Sequence, residues 1–143
     1  DLIIAFKNGE LDKDFIAVLP FQGPKQNGMP ELHQLTPSLT VLQKKGFKVA
    51  LITDGRMSGA SGKVPSAIHL TPEAYDGGPI AKIQTGDVLR LDATTGELNC
   101  LTNDFLSRTA RIKDNDATQY GRELFGNARK IVSSSEEGAS FIF

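Results

Sequence analysis

The residues best suited to chemistry lie together in one short segment, 53–63, which follows the apolar run 49–52. The segment interleaves glycines with charged and hydroxyl side chains: Asp54, Arg56, Ser58, Ser61 and Lys63. Glycine lets backbone N–H groups approach an anion closely, and arginine and lysine neutralise the anion's charge. Because open α/β sheets place their ligands where buried strands end, the pattern indicates an anion-binding loop that also carries two hydroxyls.

Two other interpretations of this loop have to be weighed. A Gly/Ser-rich segment after a strand is often only a surface loop, and the spacing alone leaves that alternative open. The nucleotide-binding pattern G-x-x-x-x-G-K-S/T is excluded, because it needs a glycine and a hydroxyl where the chain has Met57 and Val64.

The composition is that of an ordinary globular protein with one domain over 1–143. Hydrophobic residues make up 39%, charged residues 23%, and the net charge is −1. This charge gives no argument for nucleic acid or an anionic membrane, and no apolar run approaches the ~18 residues of a membrane span. The chain opens with Asp1 and shows no basic region before its first apolar residues, so we expect a fragment without a signal peptide.

Cys100 is the only cysteine of the chain. It cannot form an internal disulfide, which fits a reducing compartment. One thiol also cannot hold an iron–sulfur cluster or a structural zinc ion by itself. Its neighbours predict a strand, so we expect a buried structural thiol.

Apolar periodicity predicts the elements that position the loop. The expected strands cover 14–19, 48–52, 66–70, 80–83, 87–92 and 97–101, with a strand or tail at 139–143. Helical patterns cover 36–46, with Thr36 as N-cap, a turn at 71–75, and 119–132. We expect 21–33 to be mostly a loop, 14–52 to form a parallel crossover unit, and 94–96 to be a hairpin turn.

Longer strings of the sequence resemble one enzyme family. Thr53-Asp-Gly-Arg-Met-Ser-Gly59, Pro72-Glu-Ala and Gly77-Gly-Pro-Ile80 resemble the C-terminal domain of the dihydroxy-acid and sugar-acid dehydratases. Other strings are similar to that domain in the members that act on 6-phosphogluconate: Gln22-Gly-Pro-Lys25, Asn27-Gly-Met-Pro-Glu-Leu-His33, Ser58-Gly-Ala-Ser-Gly-Lys-Val-Pro65, Gly121-Arg-Glu-Leu-Phe125 and Glu137-Gly-Ala-Ser140. The resemblance covers essentially the whole chain.

The resemblance implies an α/β fold of the swivelling β/β/α type, a barrel-like mixed sheet flanked by helices. It implies the dehydration of 6-phospho-D-gluconate to 2-dehydro-3-deoxy-6-phosphogluconate, a step of the Entner–Doudoroff pathway, in the cytoplasm. It also implies a [4Fe–4S] cluster, held by an upstream domain of the same enzyme, that acts as Lewis acid on the leaving hydroxyl. A magnesium or manganese ion would hold the substrate carboxylate. The expected partners are the phosphorylated sugar acid, the upstream domain and a second copy in a homodimer, with neither nucleic acid nor membrane.

The resemblance also implies roles for single residues. Ser58 matches the family serine that takes the proton from C2, and Glu31 matches the glutamate that coordinates the divalent metal. Arg56, Ser61 and Lys63 are candidate substrate contacts, for phosphate or carboxylate. Relatives often carry a hydroxyl two residues after the serine, where this chain has Ala60.

Several charged residues and histidines have weaker or alternative expected roles. Asp54 is expected to fix the loop by bonding its backbone amides, and Arg56 could equally pair with Asp54 as a brace. Lys25 is a weaker candidate for an anion contact. His69 lies in an apolar run and is expected to be a packed core residue, although a substrate contact stays open, and His33 is expected near Glu31.

Two competing functions remain. One is a dehydratase for an unphosphorylated sugar acid or a dihydroxy acid, against which Lys63 and the string 58–65 argue. The other is a non-catalytic module that binds phosphosugars through the same loop. An upstream domain with cluster cysteines would distinguish an enzyme from such a module.

Overall fold

The computed structural model describes residues 2–59, 62–113 and 126–142. Its α-helices are Leu2–Lys7 (α1), Pro24–Asn27 (α2), Thr36–Lys44 (α3) and Ala128–Ile131 (α4). Its strands are Phe15–Leu19 (β1), Glu31–Leu32 (β2), Val49–Thr53 (β3), Arg56–Met57 (β4), Ser66–Ala67 (β5), Leu89–Asp92 (β6) and Glu97–Cys100 (β7). Short 3-10 helices occupy Ala74–Asp76, Pro79–Lys82 and Phe105–Ser107.

A parallel sheet with the strand order β1–β3–β5 carries the centre of the fold. Its register places Phe15 opposite Val49 and Leu19 opposite Thr53. All five residues of β3 are buried, as expected for a parallel strand that is covered on both faces. Because α3 connects β1 to β3, the predicted parallel crossover unit is confirmed.

Apolar clusters cover the two faces of β3. On one face, Leu39 and Leu42 of α3 pack with Leu51, and none of the three is more than 3% exposed. On the other face, Ile52 packs with Ile80 of the second 3-10 helix. Since side chains alternate along a strand, neighbouring residues of β3 anchor different layers. This burial fixes the carboxyl end of β3, from which the candidate site extends.

Two smaller sheets complete the described structure. β2 and β4 pair in parallel over two residues, and β6 and β7 form an antiparallel hairpin. The hairpin turn ends at Gly96, whose φ is +73°, so this prediction is confirmed. The described residues are therefore a mixed α/β arrangement of parallel and antiparallel sheets flanked by helices, and they form no closed barrel. No helix within them is long and apolar enough to cross a membrane.

The predicted strand at 80–83 is wrong, because Pro79–Lys82 is a 3-10 helix. Proline presets a helical φ at the first position of a helix. Gly78 before it packs onto the carbonyl oxygen of Pro72, where a Cβ atom would overlap. Ile80 and Ala81 are nevertheless buried, so the apolar run indicated burial and not strand geometry.

The segment 21–33 is more regular than predicted. Pro24 stands in the first turn of α2, and Gly28 ends that helix with a left-handed φ of +69°. β2 follows after Met29 and Pro30. The prolines and glycines of this segment therefore mark the ends of short regular elements and do not exclude regular structure.

The predicted boundaries also change at other positions. α3 begins at Thr36 itself, with Leu35 at the N-cap position and no side-chain cap. The predicted strand 66–70 is only the two-residue β5, because His69 adopts a φ of +58° that an extended strand excludes. α1 was not predicted, because its six residues are too few to establish a helical period.

The C-terminal predictions are tested only in part. Of the helix predicted over 119–132, residues 119–125 lie outside the described ranges, and α4 covers Ala128–Ile131. Ile131, the last residue of α4, is 54% exposed. Residues 139–142 form no strand, which leaves the alternative of a tail.

Candidate functional site

Asp54, directly after β3, is the central residue of the site. Its side chain is fully buried. Oδ2 accepts backbone N–H bonds from Phe21 at 3.0 Å and Ala74 at 2.8 Å, and Oδ1 accepts one from Gln22 at 2.8 Å. Asp54 therefore joins three chain segments through their main chain. It bonds backbone amides, but the prediction that these belong to its own loop is wrong, because all three lie outside it.

Thr53 and Gly55, the neighbours of Asp54, are equally constrained. The Thr53 hydroxyl donates to the Leu19 carbonyl at 2.7 Å and accepts from the Gly55 N–H at 3.0 Å. A Cβ atom on Gly55 would lie 2.6 Å from Cβ of Gln22. Only glycine allows the two loops to approach this closely.

Glu73 is a second buried carboxylate, and the sequence analysis did not identify it as a separate site residue. It is 3% exposed and accepts N–H bonds from Lys25 at 3.1 Å and Gln26 at 3.4 Å, in α2. Burial raises the pKa of the Glu73 carboxyl, and the two N–H bonds lower it in part. Its sequence signal is only the string Pro72-Glu-Ala, which does not reveal burial.

Arg56 and Glu31 lie opposite each other in the parallel pairing of β4 with β2. Arg56 Nη1 is 3.0 Å from Glu31 Oε1, and Arg56 Nε donates to the Met29 carbonyl at 2.8 Å. Both side chains are about half exposed. Of the two sequence alternatives for Arg56, pairing with Asp54 is therefore wrong: Arg56 braces the loop through Glu31 and Met29.

The remaining candidates follow β4 along the chain. Ser58 is half-buried and stands two residues after Arg56, whereas Ser61 lies outside the described residues. Lys63 is exposed, and no hydrogen bond or ion pair joins it to another residue of the described ranges. Val64 is 5% exposed and packs in the core beside α3, so it anchors the returning end of this loop.

Lys25 and the two histidines, the weaker candidates of the sequence, lie outside the loop between β3 and β5. Lys25 Nζ is 2.6 Å from Asp76 Oδ2, and this hydrogen bond raises the pKa of Lys25. The expectation of a packed His69 is wrong, because its side chain is exposed where the backbone turns out of β5. His33 is exposed one residue after β2.

A cleft of about 530 Å³ opens beside Glu31. Its polar lining comes from Gln22, Glu31, His33 and Gln34. Apolar residues of α1, β1 and β2, together with Leu35 at the N-cap position of α3, supply the rest. The cleft thus places the predicted metal ligand and His33 at one opening. It has the mixed lining that small-molecule sites have.

The chain does not by itself fit the metal groups that the resemblance implies. In the described part of the chain, no three His, Cys, Asp or Glu side chains cluster closely enough to hold a metal ion. Cys100 is the sole cysteine and lies in β7, so a [4Fe–4S] cluster has no ligand set here. Glu31 can supply one carboxylate to a divalent ion, and the other ligands would have to come from elsewhere.

Comparison with known proteins gives a consistent result. The model of the family "Dihydroxy-acid/6-phosphogluconate dehydratase C-terminal" matches residues 1–139. The phosphogluconate dehydratase of Pseudomonas aeruginosa is 57% identical over 96% of the chain, and that of Escherichia coli K12 is 53% identical over 99%. The dihydroxy-acid dehydratase of Streptococcus pneumoniae is 38% identical over 97%. The chain spans about a quarter of the length of these relatives.

Proposed function

We propose that this chain, which belongs to the dihydroxy-acid/6-phosphogluconate dehydratase C-terminal family, is the C-terminal part of a hydro-lyase that dehydrates 6-phospho-D-gluconate. The product would be 2-dehydro-3-deoxy-6-phosphogluconate, formed in the Entner–Doudoroff pathway. One observation carries the proposal: relatives named phosphogluconate dehydratase are 50–57% identical over nearly the whole chain, against 38% for the dihydroxy-acid dehydratase of Streptococcus pneumoniae. A dihydroxy acid is therefore the second candidate substrate.

Ser58 is the proposed base that removes the C2 proton. A serine hydroxyl is too weak a base unless its alkoxide is stabilised by a cation and by backbone donors. Three features support the assignment: Ser58 directly follows β4, Gly59 beside it leaves open space, and Arg56 stands two residues before it.

Glu31 is the proposed carboxylate ligand of a magnesium or manganese ion. Its place beside the cleft and its contact with Arg56, which fixes the carboxylate at 3.0 Å, support that role. We also propose that Arg56, Ser61 and Lys63 contact the substrate, with Lys63 at the phosphate. The [4Fe–4S] cluster would be held outside this chain and would supply Lewis acidity toward the leaving hydroxyl.

The wider family properties are proposals for the full-length enzyme. They are the swivelling β/β/α architecture with a barrel-like sheet, in which residues 1–143 form one C-terminal domain, a homodimeric assembly and a cytoplasmic location. The mixed sheets of the chain and its family membership support the first of these.

The proposal is tested with the full-length enzyme by following 2-keto acid formation from 6-phosphogluconate. Ser58→Ala should lower kcat on the order of 10²–10⁴-fold or more, because the base is lost. Ser107→Ala is the matched control. The Ser107 hydroxyl donates to the Asp104 carbonyl, outside the candidate site, so this variant should retain activity. Near-normal turnover of the Ser58 variant would reject Ser58 as the base, and an inactive wild-type enzyme would reject the substrate.

The phosphate assignment is tested with a second substrate. Lys63→Met should reduce kcat/KM for 6-phosphogluconate about ten- to a hundredfold, because a charge-assisted contact is worth roughly 1.5–3 kcal/mol. Any slow reaction with unphosphorylated gluconate should change much less. Lys13→Met, an exposed lysine before β1, is the control. An equal loss on both substrates would remove Lys63 from the phosphate.

A further inference from the structure

Three residues that are not glycine adopt left-handed backbone conformations around the site. They are Phe21, Met29 and His69, with φ values of 65°, 50° and 58°. Such conformations cost on the order of 1–3 kcal/mol each and persist only where the surrounding structure holds them.

Each of these residues is held through its main chain by one member of the tripeptide 54–56. The Phe21 N–H donates to Asp54 Oδ2 at 3.0 Å, and the His69 N–H donates to the Gly55 carbonyl at 2.9 Å. Arg56 Nε donates to the Met29 carbonyl at 2.8 Å. One turn of chain therefore fixes three strained positions in two other loops.

Glu73 completes the attachment of the loop that carries Glu31. It binds the first N–H groups of α2, while Asp54 binds the N–H groups just before that helix. Gly23 between them has no room for a Cβ atom, which would overlap the Glu73 carboxylate. Asp54 and Glu73 are too buried to touch a substrate, so any effect of theirs on a reaction acts through the backbone that they hold.

We propose that Asp54 and Glu73 are positioning residues, which hold the Glu31 loop, 20–31, in place against the Ser58 segment, 53–59. The inference rests on the proposed dehydration and extends it to two residues that contact no reacting atom. Together the two carboxylates accept four main-chain bonds from the Glu31 loop, and Asp54, which belongs to the Ser58 segment, also holds the N–H of Ala74 beside Glu73. Loss of either carboxylate should therefore let Glu31 shift relative to Ser58. A shift of about 1 Å away from a reacting centre can cost on the order of 100-fold in rate.

The test uses full-length enzyme with Glu73→Gln and Asp54→Asn. In Glu73→Gln, one backbone N–H would face an amide donor in place of an acceptor. When the variant is assayed well below its unfolding temperature, we expect kcat for 6-phosphogluconate to fall about 10- to 100-fold. Hydrogen exchange should become faster only within residues 20–31. Asp54→Asn should show a larger effect of the same kind. If the Asp54→Asn variant does not fold, the Glu73→Gln variant alone tests the positioning role.

Asp76→Asn is the matched control. Asp76 contacts the same helix, but only through the partly exposed side chain of Lys25, so kcat and exchange should stay near wild type. An active wild type whose Glu73→Gln variant keeps its kcat would overturn the positioning role alone. A Glu73→Gln variant that loses activity without faster exchange at 20–31 would overturn it as well. An inactive wild type would instead reject the proposed function on which the inference rests.

Discussion

The site loops and the β6–β7 region each depend on an aspartate whose side chain is shielded from solvent, and the two carboxylates differ in the groups that they bind. Asp54 accepts only backbone N–H groups from Phe21, Gln22 and Ala74. Asp87, before β6, accepts two bonds from the Arg108 guanidinium, at 2.7 and 3.0 Å, besides one from the Gln84 N–H at 2.8 Å, and its side chain is 6% exposed. The first arrangement fixes main-chain geometry, and the second joins two side chains by charge.

This difference predicts where a change should affect activity and where it should affect only stability. Backbone positions in the site loops cannot move without moving Glu31 or Ser58. The β6–β7 region contains none of the proposed site residues, so its defects should remain local.

The largest difference is expected between two glycine substitutions. Gly55→Ala would press a Cβ atom against Gln22, at 2.6 Å from its Cβ and 2.7 Å from its carbonyl oxygen. We expect a loss of about 1–3 kcal/mol in the free energy of unfolding together with a strong loss of kcat. Urea unfolding and the 2-keto acid assay measure the two effects.

Gly96→Ala in the hairpin turn is the matched change. Its φ of +73° makes alanine strained, but no atom lies within 4 Å of the added Cβ. It should cost about 1 kcal/mol in stability, with kcat unchanged. If both variants lost activity to the same extent, the two regions would not be separable.

The second prediction concerns pH. Hydrogen bonds from Arg108 lower the pKa of Asp87 to about 2, from 3.8. Because the folded pKa is the lower one, this stabilisation is present above about pH 4 and is lost as the pH falls toward 2. Asp87→Asn should therefore be less stable than wild type at neutral pH, and the gap in unfolding midpoint should close in acid. A gap that persists unchanged at pH 2 would show that charge is not its cause.

Glu73 should respond in the opposite direction. Burial raises its pKa above 4.5, so the folded protein retains a proton that the unfolded chain releases. Its contribution to stability is therefore full below pH 4.5 and falls as the pH rises through the folded pKa. Relative to Glu73→Gln, wild type should lose stability over that rise, measured by midpoints at several pH values. A parallel pH dependence of the two proteins would show that Glu73 does not titrate differently on folding.

The smallest effect is expected at the surface of the hairpin. Arg90 Nη2 is 3.6 Å from Glu97 Oε2, and both side chains are more than half exposed. Such pairs contribute little, so Arg90→Ala should change the free energy of unfolding by about 0.5 kcal/mol or less. High salt should remove most of that difference. A loss above about 1 kcal/mol would mean that the hairpin also depends on this pair.

The sequence predicts the parts of the fold that local pattern determines. β1, β3 and the β6–β7 hairpin follow from apolar runs and a glycine turn. The pairing of β2 with β4 could not be predicted, since two residues carry no period and their partners lie 25 positions apart. The 3-10 helix at Pro79–Lys82 was not predicted for a related reason. A short apolar run indicates that residues are buried, but it is too short to show whether they form a strand or a helix.

The candidate site divides in the same way. Motif resemblance found Glu31, Arg56 and Ser58, and the structure brings the first two into contact. Motif resemblance could not assign a role to Glu73. The backbone N–H that donates to Glu73 lies 48 residues away in the sequence, so no local pattern indicates that this side chain is buried. The residues with left-handed backbone conformations could not be predicted either, since nothing in the local sequence indicates a positive φ at Phe21 or Met29.

The attachment of carboxylates to main-chain N–H groups has an evolutionary consequence. Every residue except proline offers the same N–H donor, so these bonds do not select the side chains of the residues that donate them. Gln22, which lines the cleft, and Lys25 are only partly buried. Mutation can therefore exchange these side chains, and with them the chemistry of the cleft, while the loop keeps its course. Members of this family can in this way change the lining of the cleft without rebuilding the backbone around it.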